Sequence, residues 1–303
     1  MTHSFLEVDD LDPARLGAVL DQAITWKADP ARVPAALAGQ GVAALFEKPS
    51  ARTRISIEMA IATLAGHPIY IRPEEVGLDS RESVEDVART MAGMCTMIAA
   101  RVFDHRTLER MESAVDVPIV NLLSDRAHPC QALADLLTLR EHYGRLEGLR
   151  VAYVGDGNNV AASLAFGAAL SGVELVVASP EGYELDTEVV ARARNLGGTI
   201  ELTGDPNDAV SGADAVYTDV WTSMGQETER EQRLHAFAGF TVDDTMMKGA
   251  SADAVFLHCL PAHRGEEVAA DVIDGPRSLV WAQAANRMHA ARSLLVHLVR
   301  NGS

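Results

Sequence analysis

Lysine is almost missing from this sequence: only Lys27, Lys48 and Lys248 occur in 303 residues. Positive charge assembled locally must therefore come from arginine, whose planar fork grips phosphate oxygens in pairs. Cysteine is scarce as well. Cys95, Cys130 and Cys259 are widely spaced and odd in number, which argues against a disulfide framework and points to a reducing cytoplasm. The absence of any Cys-x-x-Cys pair speaks against a structural zinc site. Aromatic residues make up only 5%, so the core must be mostly aliphatic. No apolar run approaches the ~18 residues of a membrane span. Met1 to Asp10 is polar and acidic, without the basic start and apolar stretch of a secretory signal. The formal net charge of −17 repels nucleic acid and anionic lipid. Acidic residues spread over the whole chain read as a solvated surface rather than an acidic partner site. An anionic substrate would need Arg and His gathered locally against that global field.

What is present is a regular alternation of short aliphatic runs with longer amphipathic ones, in a chain that is 48% hydrophobic. The pattern predicts strands at Val42–Phe46, Ile69–Ile71, Thr96–Ala100 and Val117–Val120. Between them it predicts helices at Ser50–Ala65, Val84–Met94 and Leu108–Val115. A further helix opens at Pro129, a favoured first-turn residue. The alternation pauses around Tyr143–Gly148 and restarts. Strands are expected at Val151–Val154, Leu175–Ala178, Thr199–Leu202, Ala215–Val220 and Val255–Cys259. Helices are expected at Asn158–Leu170 and Thr187–Asn195, with a last long one at Ala284–Val299. The fold class is α/β: two domains, each a mainly parallel sheet flanked by helices. The expected division is 1–147 and 148–284, with the terminal helix, 285–303, packing back on the first domain.

Parallel sheets bind ligands at the carboxyl ends of their strands, and the polar residues cluster there. Ser50-Ala51-Arg52-Thr53-Arg54 opens a helix after a buried strand. Free first-turn amides, two hydroxyls and Arg52 make an oxyanion cradle; the plain alternative is a serine cap beside solvated arginines. His128 and Gln131 flank Pro129-Cys130 at a second helix start, where both could donate to a developing oxyanion. Cys130 reads better as a packed residue than as a nucleophile. Gly155-Asp156-Gly157-Asn158-Asn159-Val160 lacks the third glycine of a dinucleotide fingerprint, and Asn159 could meet a carboxylate instead. Asp219, ending a strand before Trp221-Thr222-Ser223-Met224-Gly225, could pair with an ammonium, or the hydroxyls could simply cap a helix. Cys259 could be inert, hydrogen-bond at a cleft, or titrate near pH 8.

Phe46–Arg54, His128-Pro129-Cys130-Gln131, Ser223-Met224-Gly225 and His258-Cys259-Leu260-Pro261, in this order and spacing, resemble the aspartate/ornithine carbamoyltransferase family. The Ser-Met-Gly loop and the Cys of His-Cys-Leu-Pro look like its ornithine branch. The resemblance implies a carbamoyl-phosphate domain followed by an ornithine domain. Ser50, Ala51, Arg52 and Thr53 would bind the phosphate, and Arg101 would bridge phosphate and carbonyl oxygen. His128, Gln131, Cys259, Leu260 and Arg287 would complete the carbamoyl pocket. Arg101, His128 and Cys259 would be the catalytic set. Asn159, Asp219, Ser223 and Met224 would hold ornithine. The resemblance further implies a cytoplasmic homotrimer with sites between subunits and no metal or organic cofactor. Its partners would be small-molecule substrates only, with no nucleic acid and no membrane. Two positions depart from the family pattern. Ala51 replaces a usual Thr, and Gly77 stands where a neighbouring subunit usually supplies a Gln; Arg81, close by, could supply a donor across the interface instead, or simply pair with Glu82 or Glu85 in solvent. A relative acting on putrescine or an acylated ornithine, or a non-catalytic regulatory member, would share most of these motifs.

Overall fold

The computed structural model describes residues 4–222 and 227–301. Helix α1 (Pro13–Ala28) comes first, capped by Asp12, whose side chain accepts from the Arg15 amide. Then follow β1 (Gly41–Phe46), α2 (Ala51–Thr63), β2 (His67–Ile71), α3 (Pro73–Val76) and α4 (Val84–Ala92). Next come β3 (Met97–Arg101), α5 (His105–Ala114), β4 (Ile119–Leu123) and α6 (Pro129–Tyr143). The second series is β5 (Arg150–Val154), α7 (Asn159–Ser171), β6 (Glu174–Ala178), α8 (Thr187–Asn195), β7 (Thr199–Thr203) and α9 (Pro206–Val210). It continues through β8 (Ala215–Thr218), α10 (Arg230–Ala236), α11 (Asp244–Gly249), β9 (Val255–His258), α12 (Ala270–Ile273) and α13 (Val280–Asn301). The chain forms two compact units, residues 1–137 with 285–303, and residues 138–284.

The first unit holds a four-stranded parallel sheet in the order β2-β1-β3-β4. Its central strands are apolar from Val42 to Phe46 and from Met97 to Ala100, as a sheet covered on both faces requires. Ala43, Leu45, Ile98 and Ala100 pack against Val84, Val87 and Met91 of α4 and Leu108 and Met111 of α5. The pairing of β3 with β4 slips between Ala100 and Arg101, where a bulge re-aims the end of the strand.

The second unit holds a five-stranded parallel sheet, β7-β6-β5-β8-β9. Order reverses between β5 and β8, and a ligand crevice is expected outside such a reversal. Helix α7 is buried on every side from Val160 to Leu170 and is built almost wholly from small and aliphatic residues. Strand β8 stops at Thr218, not Val220, because the Asp219 carboxylate turns back to accept the Val220 amide at 2.8 Å. Among the described residues no helix is long and apolar enough to cross a membrane. Cys95, Cys130 and Cys259 are all buried.

Candidate active site

In the first unit the predicted residues gather at the carboxyl ends of β1, β3 and β4. Ser50 caps α2 from extended backbone, its hydroxyl accepting from the Thr53 amide at 3.3 Å. The Thr53 hydroxyl is buried and is a meeting point. Arg287 Nη2 donates to it at 2.8 Å, Arg101 Nη1 at 3.4 Å, and Ser50 Oγ lies 3.1 Å away. Two guanidiniums thus converge on one neutral oxygen at the positive end of a thirteen-residue helix. Ala51 and Arg52 occupy its exposed first turn. Arg54 is engaged elsewhere: it pairs with Glu58 at 2.8 Å and lies 3.9 Å over the Tyr70 ring.

His128 stands immediately before α6 and is almost fully buried. Burial, with the positive fields of Arg287 and Arg101 adding to it, holds its pKa well below the ordinary value. The imidazole is therefore neutral, able to donate or accept without adding a third positive charge. Gln131 donates from its amide nitrogen to Asp135 Oδ1 at 2.8 Å, keeping a second N–H, and its buried Oε1 can accept. Such an acceptor suits an N–H of a bound amide group better than a developing oxyanion. Cys130 is pushed up to about 12 by burial and points at the Asn121 carbonyl, 3.4 Å away, as a packed thiol would.

The second unit builds its cluster at the β5–β8 reversal. Asp219 is buried beyond β8 and accepts three hydrogen bonds. Its Oδ1 takes the Val220 amide and the Cys259 thiol, the latter at 2.9 Å, and its Oδ2 takes Asn158 Nδ2 at 2.9 Å. Asn158 is the neighbour that meets Asp219. Asn158 caps α7 through its Oδ1, bonded to the Val160 and Ala161 amides, and spends its amino group on Asp219. Asn159 is the first residue of α7, half buried. Gly157 is required by packing: a Cβ there would lie 2.3 Å from the Leu185 backbone nitrogen. Ser223, Met224 and Gly225 lie outside the described residues.

Two features of this unit carried no signal by spacing. Arg233 donates to Asp156 Oδ2 at 2.7 Å, to the Trp221 carbonyl at 3.0 Å and to Glu229 Oε2 at 3.0 Å, and so ties both flanks of residues 223–226 to the turn after β5. Burial raises the Asp156 pKa, an effect that the Arg233 guanidinium opposes. Glu267 is wholly buried and bonded to His258. Asp219, His258 and Cys259 bring ligand atoms within 4.8 Å of one another, as do His263, Glu266 and Glu267. In the first group those atoms already serve one another: the thiol donates to Asp219, and His258 Nδ1 accepts from the Leu260 amide.

The Gly77 segment has its own logic. Gly77 ends α3 in the left-handed region, φ +57°. Arg81 Nη1 reaches the Glu75 carbonyl at 3.3 Å, while Asp79 and Glu85 both pair with Arg110 at 2.5 and 2.7 Å.

Comparison with known proteins agrees with both halves. The family model described as the aspartate/ornithine carbamoyltransferase carbamoyl-P binding domain matches residues 3–141, and the Asp/Orn binding domain matches residues 147–298. The ornithine carbamoyltransferase of Acidothermus cellulolyticus is 49% identical over 99% of this chain and 97% of its own length. The crystal structure of ornithine carbamoyltransferase from Thermus thermophilus superposes with a TM-score of 0.90 at 46% identity, over 99% of each chain. The Pyrococcus furiosus ornithine carbamoyltransferase structure gives 0.93 at 44% identity, over 97% of this chain and 96% of that one. The chain belongs to the aspartate/ornithine carbamoyltransferase family.

Proposed function

We propose that this protein transfers the carbamoyl group of carbamoyl phosphate to the side-chain amine of L-ornithine, giving L-citrulline and phosphate. The observation that carries the chemistry is the convergence of Arg101 and Arg287 on Thr53 beside a neutral His128. That arrangement is a preorganised field for a phosphate and for the oxyanion formed when the carbamoyl carbon is attacked.

The reaction follows from charge and orientation. The alkylammonium of free ornithine, with a pKa near 10.4 in water, must first lose its proton. The neutral amine adds to the carbamoyl carbon, a C–N bond forms, and negative charge collects on the carbonyl oxygen, where Arg101 and His128 stabilise it. The attacking nitrogen gives up its extra proton, which the oxygens of the departing phosphate can accept, and the C–O bond to phosphate breaks. Phosphate departs onto the first-turn amides of α2 with Ser50, Ala51, Arg52 and Thr53 around it. Gln131, through its Oε1, takes an N–H of the carbamoyl group, and Cys259, Leu260 and Arg287 are assigned to the same group. Asp219 takes the α-ammonium of ornithine, with Asn159, Ser223 and Met224 on its amino-acid end. The scheme uses no covalent enzyme intermediate and calls for no cofactor. A cytoplasmic homotrimer with sites between subunits belongs to the same proposal.

The test is citrulline formation from carbamoyl phosphate and ornithine, with putrescine, N-acetylornithine and aspartate as alternative acceptors. Citrulline made fastest from ornithine supports the reading. Preference for another amine transfers the assignment to that substrate, and no product from any of the four leaves the non-catalytic alternative.

A further inference from the structure

The buried pair of His258 and Glu267 is not used by the chemistry above, yet it adjoins residues that are. His258 is the last residue of β9, and its ring accepts the Leu260 backbone N–H at Nδ1, 2.9 Å away. A ring nitrogen that accepts carries no proton, so the proton of the neutral imidazole must sit on Nε2. There it meets Glu267 Oε1 at 3.2 Å. The same carboxylate oxygen takes the His263 backbone N–H at 2.5 Å. Glu267 is itself held rigidly: the Val242 amide donates to its carbonyl at 2.9 Å, and the next residue, Val268, bridges to Val242 and Arg264. Both side chains of the pair are wholly buried.

Between the two anchored points lies the turn Cys259-Leu260-Pro261-Ala262. Leu260 sits at φ +59°, a region leucine rarely adopts, so its conformation must be imposed by its surroundings. The bond from its amide to His258 Nδ1 is such an imposition. One residue earlier in the same turn, the Cys259 thiol donates to Asp219. Without Glu267 the imidazole could place its proton on Nδ1, where it would oppose the Leu260 N–H instead of accepting it. The turn would lose its tether, and the thiol its register on Asp219.

We propose that Glu267 is a positioning residue: by fixing the tautomer and orientation of His258 it holds the Cys259–Leu260 turn, and thereby the Cys259–Asp219 pair, in the geometry that receives ornithine. The proposal rests on the assignment of Asp219 to ornithine made above.

The experiment compares Glu267→Met, Glu267→Gln, His258→Asn and His258→Gln, with ornithine titrated calorimetrically into folded protein saturated with phosphate, beside citrulline kinetics. Methionine keeps the volume and removes the acceptor. A displacement near 1 Å at a reacting group can cost on the order of 100-fold, so we expect the Kd for ornithine to rise, and kcat/KM to fall, by at least about tenfold in Glu267→Met. Glutamine keeps an acceptor at the Oε1 position and places its amino group near His263 Nδ1, 3.8 Å from the present Oε2. It should therefore stay within about threefold of the parent, the scale of one neutral hydrogen bond. A merely structural role would lower the folded fraction and the unfolding midpoint while surviving molecules bind ornithine normally. The histidine variants decide the matter even if Glu267→Met does not fold. Asparagine puts an oxygen where Nδ1 was and can still accept from Leu260; glutamine places its terminal amide nearer Nε2 and cannot. Tighter ornithine binding by His258→Asn than by His258→Gln is the expected order. Equal binding or the reverse order overturns the proposal, as does an unchanged Kd in folded Glu267→Met or a Glu267→Gln as damaged as Glu267→Met. A parent protein that makes no citrulline refutes the functional reading instead, so the two failures are separable.

Discussion

The Cys259 thiol lies 2.9 Å from Asp219 Oδ1 and donates to it, joining the end of β9 to the end of β8 inside the second unit. Asp219 also holds Asn158 Nδ2 and its own neighbour's amide, so its carboxylate is fixed on both oxygens. Removing one hydrogen bond to a charged group costs about 1.5 to 3 kcal/mol, and 1.4 kcal/mol is a factor of ten. Cys259→Ala should therefore lower kcat/KM for ornithine by at least about tenfold, while Cys259→Ser, which keeps a donor, loses much less. Steady-state citrulline kinetics on the two variants give the comparison, and equal losses would mean that the thiol acts through something other than this bond.

Arg101→Ala removes a donor aimed at the developing oxyanion. One such donor is worth on the order of 100-fold in kcat. The side chain shares the Thr53 hydroxyl with Arg287, so the helix cap at Ser50 should survive the change and the protein should stay folded. Circular dichroism with single-turnover kinetics checks both halves. Near-normal kcat in a folded Arg101→Ala protein removes Arg101 from the mechanism.

Much of this was legible beforehand, and the reasons are local. Buried parallel strands such as Val151–Val154 read as unbroken aliphatic runs, and the observed strand, Arg150–Val154, differs by one residue. Residues at strand ends, Arg101, His128, Asp219 and Cys259 among them, were placed correctly because topology puts them there. Helix α1 escaped although Asp12-Pro13 is a cap and start signal and Leu16, Val19, Leu20, Ala23 and Trp26 keep helical spacing. Helices α9 to α12 span only four to seven residues, too short for periodicity to register. The contact of Arg287 with Thr53 spans 234 positions and the Arg233–Asp156 pair 77, and spacing predicts neither; only the place of Arg287 in the site came from the family resemblance. The cap of α7 by Asn158 was not legible either, because sequence does not show which of two adjacent amides turns back onto the helix.

Substrate choice follows from charge. Putrescine is ornithine without its carboxylate: its second ammonium can still meet the buried Asp219, but the charged group that the rest of the proposed ornithine site would hold is gone. Sites built to bond a polar group reject analogues lacking it by large factors. Ornithine should be preferred over putrescine by at least about 100-fold in kcat/KM, the scale of losing one well-formed charged hydrogen bond. Competition between the two amines at equal concentration measures the ratio directly, and comparable use of both would sink the ornithine assignment.

Gly77 first read as a missing side chain, but the structure gives it a backbone task. It ends α3 at φ +57°, and a Cβ there would sit 3.0 Å from Arg81 Cβ and 3.1 Å from Ser80 Oγ. A side chain forced into the left-handed region costs roughly 1 to 2 kcal/mol. Gly77→Gln, which restores the residue usual in the family, should lower stability by about that amount and leave the KM for carbamoyl phosphate no better. Urea unfolding with parallel kinetics tests this; a stable variant with a lower KM would show that the segment can re-form around a side chain.

His128 links the anion field to acid stability. Burial, then Arg287 and Arg101, depress its folded pKa well below the ordinary 6.5, which it regains on unfolding. Between those two values the unfolded chain binds a proton that the folded protein does not, so stability increases with pH across that window and falls as pH drops below about 6.5. His105, also lowered by burial, contributes with the same sign and remains in a His128 variant. Replacing His128 by Gln removes one of the two titrations. The slope of unfolding free energy against pH, measured below 6.5, should then flatten by up to about 1.4 kcal/mol per pH unit, the value of one proton. Because the imidazole is neutral in the folded protein, kcat should also show no ionisation near 6.5 that vanishes in His128→Gln. An unchanged stability slope would mean that His128 is protonated in the folded state after all, and that the two arginines face a third cation.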